Sequence, residues 1–106
     1  MVIKNIREAQ AFDVNRIKKK TLFREKKSTA FVVNLMPGQV LPAHRHPGGH
    51  IYLLLLEGEG ECCVDGESNK LSWRDVLHCR GDEEISLKNT GKKLMSIYVV
   101  LACEEM

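Results

Sequence analysis

The chain is short of the features that mark most specialised protein classes. It has 106 residues, only 6% of them aromatic, and a formal net charge of +2. That charge is too small to favour nucleic acid or an acidic membrane as a partner. No apolar run approaches the length of a membrane span; Ile51 to Leu56 and the largely apolar Leu94 to Leu101 are strand-length. The opening Met-Val-Ile-Lys-Asn-Ile-Arg-Glu puts charges where a secretion signal needs an apolar core, so a cytoplasmic location is expected. Linkers, repeats and low-complexity stretches are absent, which leaves one expected domain over residues 1–106. The four cysteines, Cys62, Cys63, Cys79 and Cys103, lack C-x-x-C spacing. Neighbouring Cys62 and Cys63 would point to opposite faces of a strand, so reduced, mostly buried thiols are expected.

What is present reads as strand and turn chemistry. Asn5 and Glu8 have capping-box spacing for a short helical turn through about Phe12. The basic stretch from Arg16 to Lys27, interleaved with Ile17, Leu22 and Phe23, suits an edge strand guarded by lysines. From Ala30 onward short strands alternate with turns: Ala30 to Met36, Gln39 to His46, Ile51 to Val64 interrupted at Gly58-Glu-Gly60, Leu71 to Cys79, Ile85 to Lys88 and Leu94 to Leu101. Asp65-Gly66 is a two-residue hairpin signal. Many short strands with little helix imply an all-β sandwich or small barrel. In the central strand His50, Tyr52, Leu54, Leu56, Cys62 and Val64 share one uncharged face, which is expected to be the interior. The opposite face starts apolar at Ile51, Leu53 and Leu55, and covering it suggests a homodimer or the amino-terminal strand. A bulge at Gly58 or Gly60 would shift that phase.

The candidate site is His44-Arg-His46-Pro-Gly-Gly-His50, three of the four histidines within seven residues. In an extended segment His44 and His46 point the same way. Pro47-Gly48-Gly49 lets the chain turn and brings His50 back towards them. Three converging imidazoles suit a divalent transition metal such as iron, manganese, nickel, copper or zinc. Tyr52, Leu54 and Leu87 are then candidate substrate contacts in an apolar interior. His78 reads as an ordinary strand histidine, and Trp73 as a packing anchor.

These residues resemble the cupin superfamily. Its first motif runs glycine, five residues, H-x-H, three or four residues, glutamate, six residues, glycine. Gly38, His44 and His46 match its start; His50 stands three residues on, and Gly58 closes the motif one residue later than the usual spacing. In the second motif Arg74-Asp75 stands for Gly-Asp, Cys79-Arg80-Gly81 for the turn, and Asn89 for the final asparagine. Its histidine falls on Glu84 counting forward from Gly81, and on Ile85 counting back from Asn89. The resemblance implies a jelly-roll barrel (a double-stranded β-helix) with its core over about residues 30–101 and an amino-terminal extension over 1–29. It also implies a metal held by His44, His46, His50 and, in the first count, Glu84. The expected function is a metal-dependent enzyme of dioxygenase, isomerase or lyase type acting on a small molecule; a non-catalytic binder or sensor of a metal or metabolite is the alternative.

Overall fold

Alternating side chains and frequent turns resolve into two antiparallel sheets facing one another. The structure, a computed structural model, describes residues 1–104. A one-turn 3-10 helix at Ile6–Ala9 is followed by β1 (Lys18–Arg24), β2 (Ser28–Leu35), β3 (Val40–His44), β4 (Gly49–Glu57), β5 (Gly60–Val64), β6 (Glu67–Leu71), β7 (Val76–Arg80), β8 (Ile85–Lys88) and β9 (Met95–Cys103). One sheet has the order β1-β2-β9-β4-β7 and the other β3-β8-β5-β6. This is the expected all-β jelly roll, with the lysine-rich β1 at a sheet edge. No helix among the described residues is long and apolar enough to cross a membrane.

Local chemistry explains most boundaries. Asp65 and Gly66 take positive φ values of 48° and 83°, as a two-residue hairpin demands, and join β5 to β6 with Val64 opposite Glu67. The capping box forms, with the Asn5 N–H donating to the Glu8 carboxylate at 2.8 Å, but the helix ends at Ala9, short of Phe12. The strand expected from Leu71 to Cys79 is broken. The Asp75 carboxylate accepts from the Ser72 N–H at 2.7 Å, and Arg74 turns at φ 73°, so β6 and β7 are separate strands. The polar Glu67–Leu71 segment has no apolar alternation and gave no strand signal.

The main correction concerns the inside of the barrel. Ile51, Leu53 and Leu55 are buried against the second sheet, whereas Tyr52 is half exposed and His50, Leu54 and Leu56 are on the outer side. The alternation then changes phase: β4 has an irregularity between Leu55 and Glu57, Gly58 turns at φ 84°, and Gly60 and Cys62 are buried in β5. The chain leaves one sheet for the other between Glu57 and Gly60, and that crossing is where the uniform phase fails. The apolar half of β4 that suggested a partner subunit is therefore covered by the chain's own second sheet.

The amino-terminal segment is part of the packed structure. Ala9 and Leu22 pack with Val32 on the outer face of the large sheet, with Ile6, Leu56 and Tyr98 around them. A buried polar knot holds this layer. Asn34 is 0% exposed; its amide donates to the carbonyls of Ala9 at 2.8 Å and Lys18 at 3.2 Å, and its oxygen accepts from the Ser96 hydroxyl at 2.8 Å. Losing one side of a buried polar set leaves the other partners without a bond. Asn34→Ala should therefore lower the unfolding free energy by about 2 kcal/mol in urea titration, while the exposed Asn69→Ala should change it by less than about 0.5 kcal/mol. Equal, small effects of the two would show that the knot does not hold the layer in place.

Candidate functional site

His44 and His46 lie at the mouth of the barrel. β3 pairs with β8 as Leu41 opposite Leu87 and His44 opposite Ile85, so β3 carries one extra residue between those pairs. That bulge includes Pro42, which has no N–H to give to a ladder, and it re-aims the histidines towards the face that Leu41 occupies. Both rings line a cavity of about 360 Å³ together with Ile17, Phe31, Leu41 and Lys19. Their centroids are 4.7 Å apart with planes at 89°. The Pro42 carbonyl lies 2.8 Å from His44 Nδ1 and can only accept, so Nδ1 carries the proton and Nε2 keeps its lone pair. Burial, the neighbouring His44 and the Lys19 ammonium, in that order, hold His46 below an ordinary imidazole pKa. Lys19 lines the cavity too, its ammonium 4.2 Å from the centroid of the Phe31 ring. The mouth thus combines an apolar wall, one cation and two imidazoles, of which His46 is biased towards its neutral form.

His50 is elsewhere. The Pro47-Gly48-Gly49 segment turns as expected, with Gly48 at φ 82°, but β4 begins at Gly49 and its odd-numbered residues face inward. His50 consequently points out of the barrel. Its Nδ1 is 2.9 Å from Nε2 of His78, and its Nε2 bonds to the Glu104 carboxylate. Glu84 is also on the outside: its N–H donates to the Asp65 carboxylate at 2.8 Å, and its own carboxylate meets Arg45 at 3.3 Å. Leu87 is buried in the core. Tyr52 and Leu54 border a shallow apolar depression of about 400 Å³ on the outer face, beside Val76, His78 and Tyr98. Among the described residues, no three His, Cys, Asp or Glu side chains come together as a metal-holding group. The expected convergence of His44, His46 and His50 is replaced by two separate histidine pairs.

A sequence signal for this division was available in Gly58. With four residues rather than three after His46, the first motif's carboxylate position becomes Ile51, and Gly58 then closes the motif at its usual spacing. In the second motif the count back from Asn89 gives Ile85. Both isoleucines are 2% exposed in the core. The inward positions therefore hold two imidazoles and two hydrocarbon chains, a donor set that does not fit a four-ligand metal centre. His78, read as an ordinary strand residue, is the partner that sequence reasoning missed; only the β4–β7 register identifies it.

The thiols are less buried than expected, since Cys63 is half-buried and Cys103 exposed. All four cysteines are free, with Cys62 and Cys79 buried. Burial, with Cys79 and Cys63 nearby, pushes the Cys62 thiol up to about 12, and Cys79 is also raised, chiefly by burial. Neither is poised as a nucleophile.

Comparison with known proteins agrees with this architecture. A family model described as "Cupin domain" matches residues 31–101. Among solved structures, one of a Thermus thermophilus protein superposes with a TM-score of 0.91 at 22% identity, covering 99% of this chain and 100% of that one. An RmlC-like cupin protein of Desulfovibrio desulfuricans has a TM-score of 0.86 at 26% identity, covering 96% of each chain. A protein of Thermotoga maritima described as a predicted oxalate decarboxylase has a TM-score of 0.79 at 22% identity, covering 83% of this chain and 81% of that one. No curated protein matches the chain.

His46 provides a direct check on the mouth. In NMR titration its ring should protonate below the ordinary value of 6.5, and the midpoint should rise when Lys19→Gln or His44→Ala removes a neighbour that opposes its protonation. Because folding disfavours the charged ring, the unfolded chain binds the proton first as pH falls through 6.5. Wild-type stability should therefore drop more steeply between neutral and mildly acid pH than that of His46→Gln. Parallel pH profiles would contradict this electrostatic picture.

Proposed function

We propose, from the premise that this chain belongs to the cupin domain family matched over residues 31–101, that it is a ligand-binding cupin. It takes a small organic acid with an apolar body at the barrel mouth, with no four-ligand metal centre beneath. The observation that carries this reading is the pair of buried isoleucines, Ile51 and Ile85, at the inward positions where the motifs place further ligands. A catalytic zinc site ordinarily keeps three protein ligands beside its open position, and non-heme iron sites use three as well. His44 and His46 alone fall short of that. The dioxygenase, isomerase and lyase expectations all rested on such a metal, so no reaction step is assigned.

The chemistry of the mouth supports the choice of ligand. Its cavity of about 360 Å³ is at the small end of the range of about 300–1,000 Å³ common for small-molecule sites. Ile17, Phe31 and Leu41 offer apolar contact for a hydrocarbon or aromatic body. Lys19 is the cation available to a carboxylate, and His46, held towards neutrality, can donate or accept one hydrogen bond without adding charge.

Two measurements test the reading. After equilibration with iron, manganese, nickel, copper or zinc and desalting, metal content should be the same in wild type and His44→Ala. A loss of one equivalent in His44→Ala would overturn the proposal. In a thermal-shift series of small aryl and alkyl carboxylates, an acid that binds at about 100 times its Kd should raise Tm by several degrees. Lys19→Gln should remove most of that shift, and an undiminished shift in that variant would place the ligand elsewhere.

A further inference from the structure

We infer that the groove at the far end of β4, where Trp73 is exposed beside Lys92 and Lys93, binds a carbohydrate bearing one carboxylate, with a sugar ring on the indole and the carboxylate at the lysines. The inference does not rest on what the histidine mouth binds, since that mouth lies at the other end of β4.

Three turns build the groove. Gly58 and Glu59, where the chain crosses between sheets, line it together with Trp73 from the β6–β7 turn and Lys92 and Lys93 from the β8–β9 turn. Its volume of about 660 Å³ is within the range of about 300–1,000 Å³ common for small-molecule sites. Backbone bonds hold each turn. The Leu55 N–H donates to the Asp75 carbonyl, and the Arg74 N–H to the Leu55 carbonyl, both at 3.0 Å. Buried Asn89 donates from its amide to the carbonyls of Leu35 at 2.9 Å and Lys93 at 2.8 Å, and accepts from the Gly91 N–H at 3.0 Å. A side chain at Gly58 would collide with the Leu94 carbonyl, so glycine lets the turns close up. A groove held in this way needs little ordering when a ligand enters.

Trp73 was expected as a packing anchor, yet it is 66% exposed. Its indole N–H donates to the Leu56 carbonyl at 3.2 Å, and the Arg74 guanidinium lies 5.4 Å from its ring centroid. The ring is thereby held in place and its one donor is occupied. What it offers a ligand is the electron-rich apolar face. Such a face attracts the polarised C–H bonds on one side of a pyranose ring, and it also stacks with a nucleobase.

Charge decides between the two. Lys92 and Lys93 are exposed, and among the described residues neither is in an ion pair. Two ammonium groups are therefore available to an anion. Glu59 also borders a neighbouring depression of about 360 Å³, which Glu61, Ser68, Asn69 and Lys70 line. Carboxylates, a hydroxyl and an amide are partners for the hydroxyls of a second sugar ring. Over both depressions three lysines face two glutamates, which leaves one net positive charge. That balance matches a single carboxylate, and the glutamates oppose the doubly charged phosphate of a nucleotide. One uronic acid joined to one neutral sugar meets these demands.

The experiment is titration of the full chain with an aldobiouronic acid (a hexuronic acid joined to one neutral sugar), read by calorimetry and by the emission of Trp73, the chain's single tryptophan. Binding should saturate at one site and change that emission. Trp73→Ala should weaken the calorimetric affinity about fivefold or more, and Lys92→Gln combined with Lys93→Gln about tenfold or more. The neutral disaccharide with hydroxymethyl in place of the carboxylate should bind at least about tenfold more weakly than the acid. Lys19→Gln should leave the affinity for the acid unchanged. Trp73 and both lysines are exposed, so their replacement leaves the core intact, and circular dichroism verifies this. The site is overturned by a lack of saturable binding up to about 10 mM, by equal affinity for the neutral disaccharide, or by AMP binding more tightly than the acid. Affinity lost in Lys19→Gln and kept in Trp73→Ala would place the acid at the histidine mouth and overturn the groove as well.

Discussion

Everything about the disposition of functional groups follows from which side of β4 faces the second sheet. A strand gives alternate residues to opposite faces, so one decision fixes all of them. Ile51, Leu53 and Leu55 go inward, and fully burying each contributes roughly 1.5–3 kcal/mol relative to exposure. The alternative register would bury His50 and Tyr52 in the core and expose three aliphatic side chains. Two polar groups without partners would cost the fold further. Burial of hydrocarbon therefore turns the His50 ring to the opposite side of the strand from the core, although only three residues separate it from His46. The Pro47-Gly48-Gly49 turn permits either outcome, and the barrel core selects one. The turn is then stitched down: the His46 N–H donates to the Gly81 carbonyl at 2.9 Å, and the Gly81 N–H donates to the Gly49 carbonyl at 2.8 Å. A side chain at Gly81 would collide with the His46 carbonyl, so glycine is required for this close approach.

The architecture was legible because it rests on local signals that agree with one another. Asp65-Gly66, Pro37-Gly38 and Gly58-Glu-Gly60 mark turns by backbone chemistry, and β2, β4 and β9 announce themselves by β-branched and aliphatic content. The site was legible only in part. His44 and His46 share a face for the same reason that makes them neighbours in an extended segment, and a bulge at Pro42 does not separate them. The position of His50 depended on parity across a break, and the sequence carries parity only while the strand is regular. Gly58 held the missing information, since its spacing agrees with Ile51 and disagrees with His50. The pairing of Glu84 with Arg45, and of His78 with His50, depends on contacts between distant strands that no local pattern encodes.

The two histidine pairs illustrate how burial decides what an imidazole can do. His46 is within reach of the core, where burial first, and then His44 and Lys19 beside it, bias it to the neutral form. His50 and His78 are on a solvated sheet face beside Tyr52, whose ring lies 4.9 Å from that of His78. There the imidazoles keep access to water and ions, and a carboxylate from the end of β9 sets the tautomer of one of them.

These surroundings could not be exchanged between the pairs. At the mouth, His44 commits its Nδ1 to the Pro42 carbonyl, and the two rings meet edge to face at 89°. Lys19 adds positive charge at the same place, which opposes a dication and favours an anion. On the outer face the sign is reversed: Glu104 supplies a negative charge directly behind His50, and His50 Nδ1 and His78 Nε2 share a hydrogen bond of 2.9 Å. Charge and ring orientation, both set by strand register, therefore give the two histidine pairs different surroundings: a cation and an apolar wall beside one, a carboxylate beside the other.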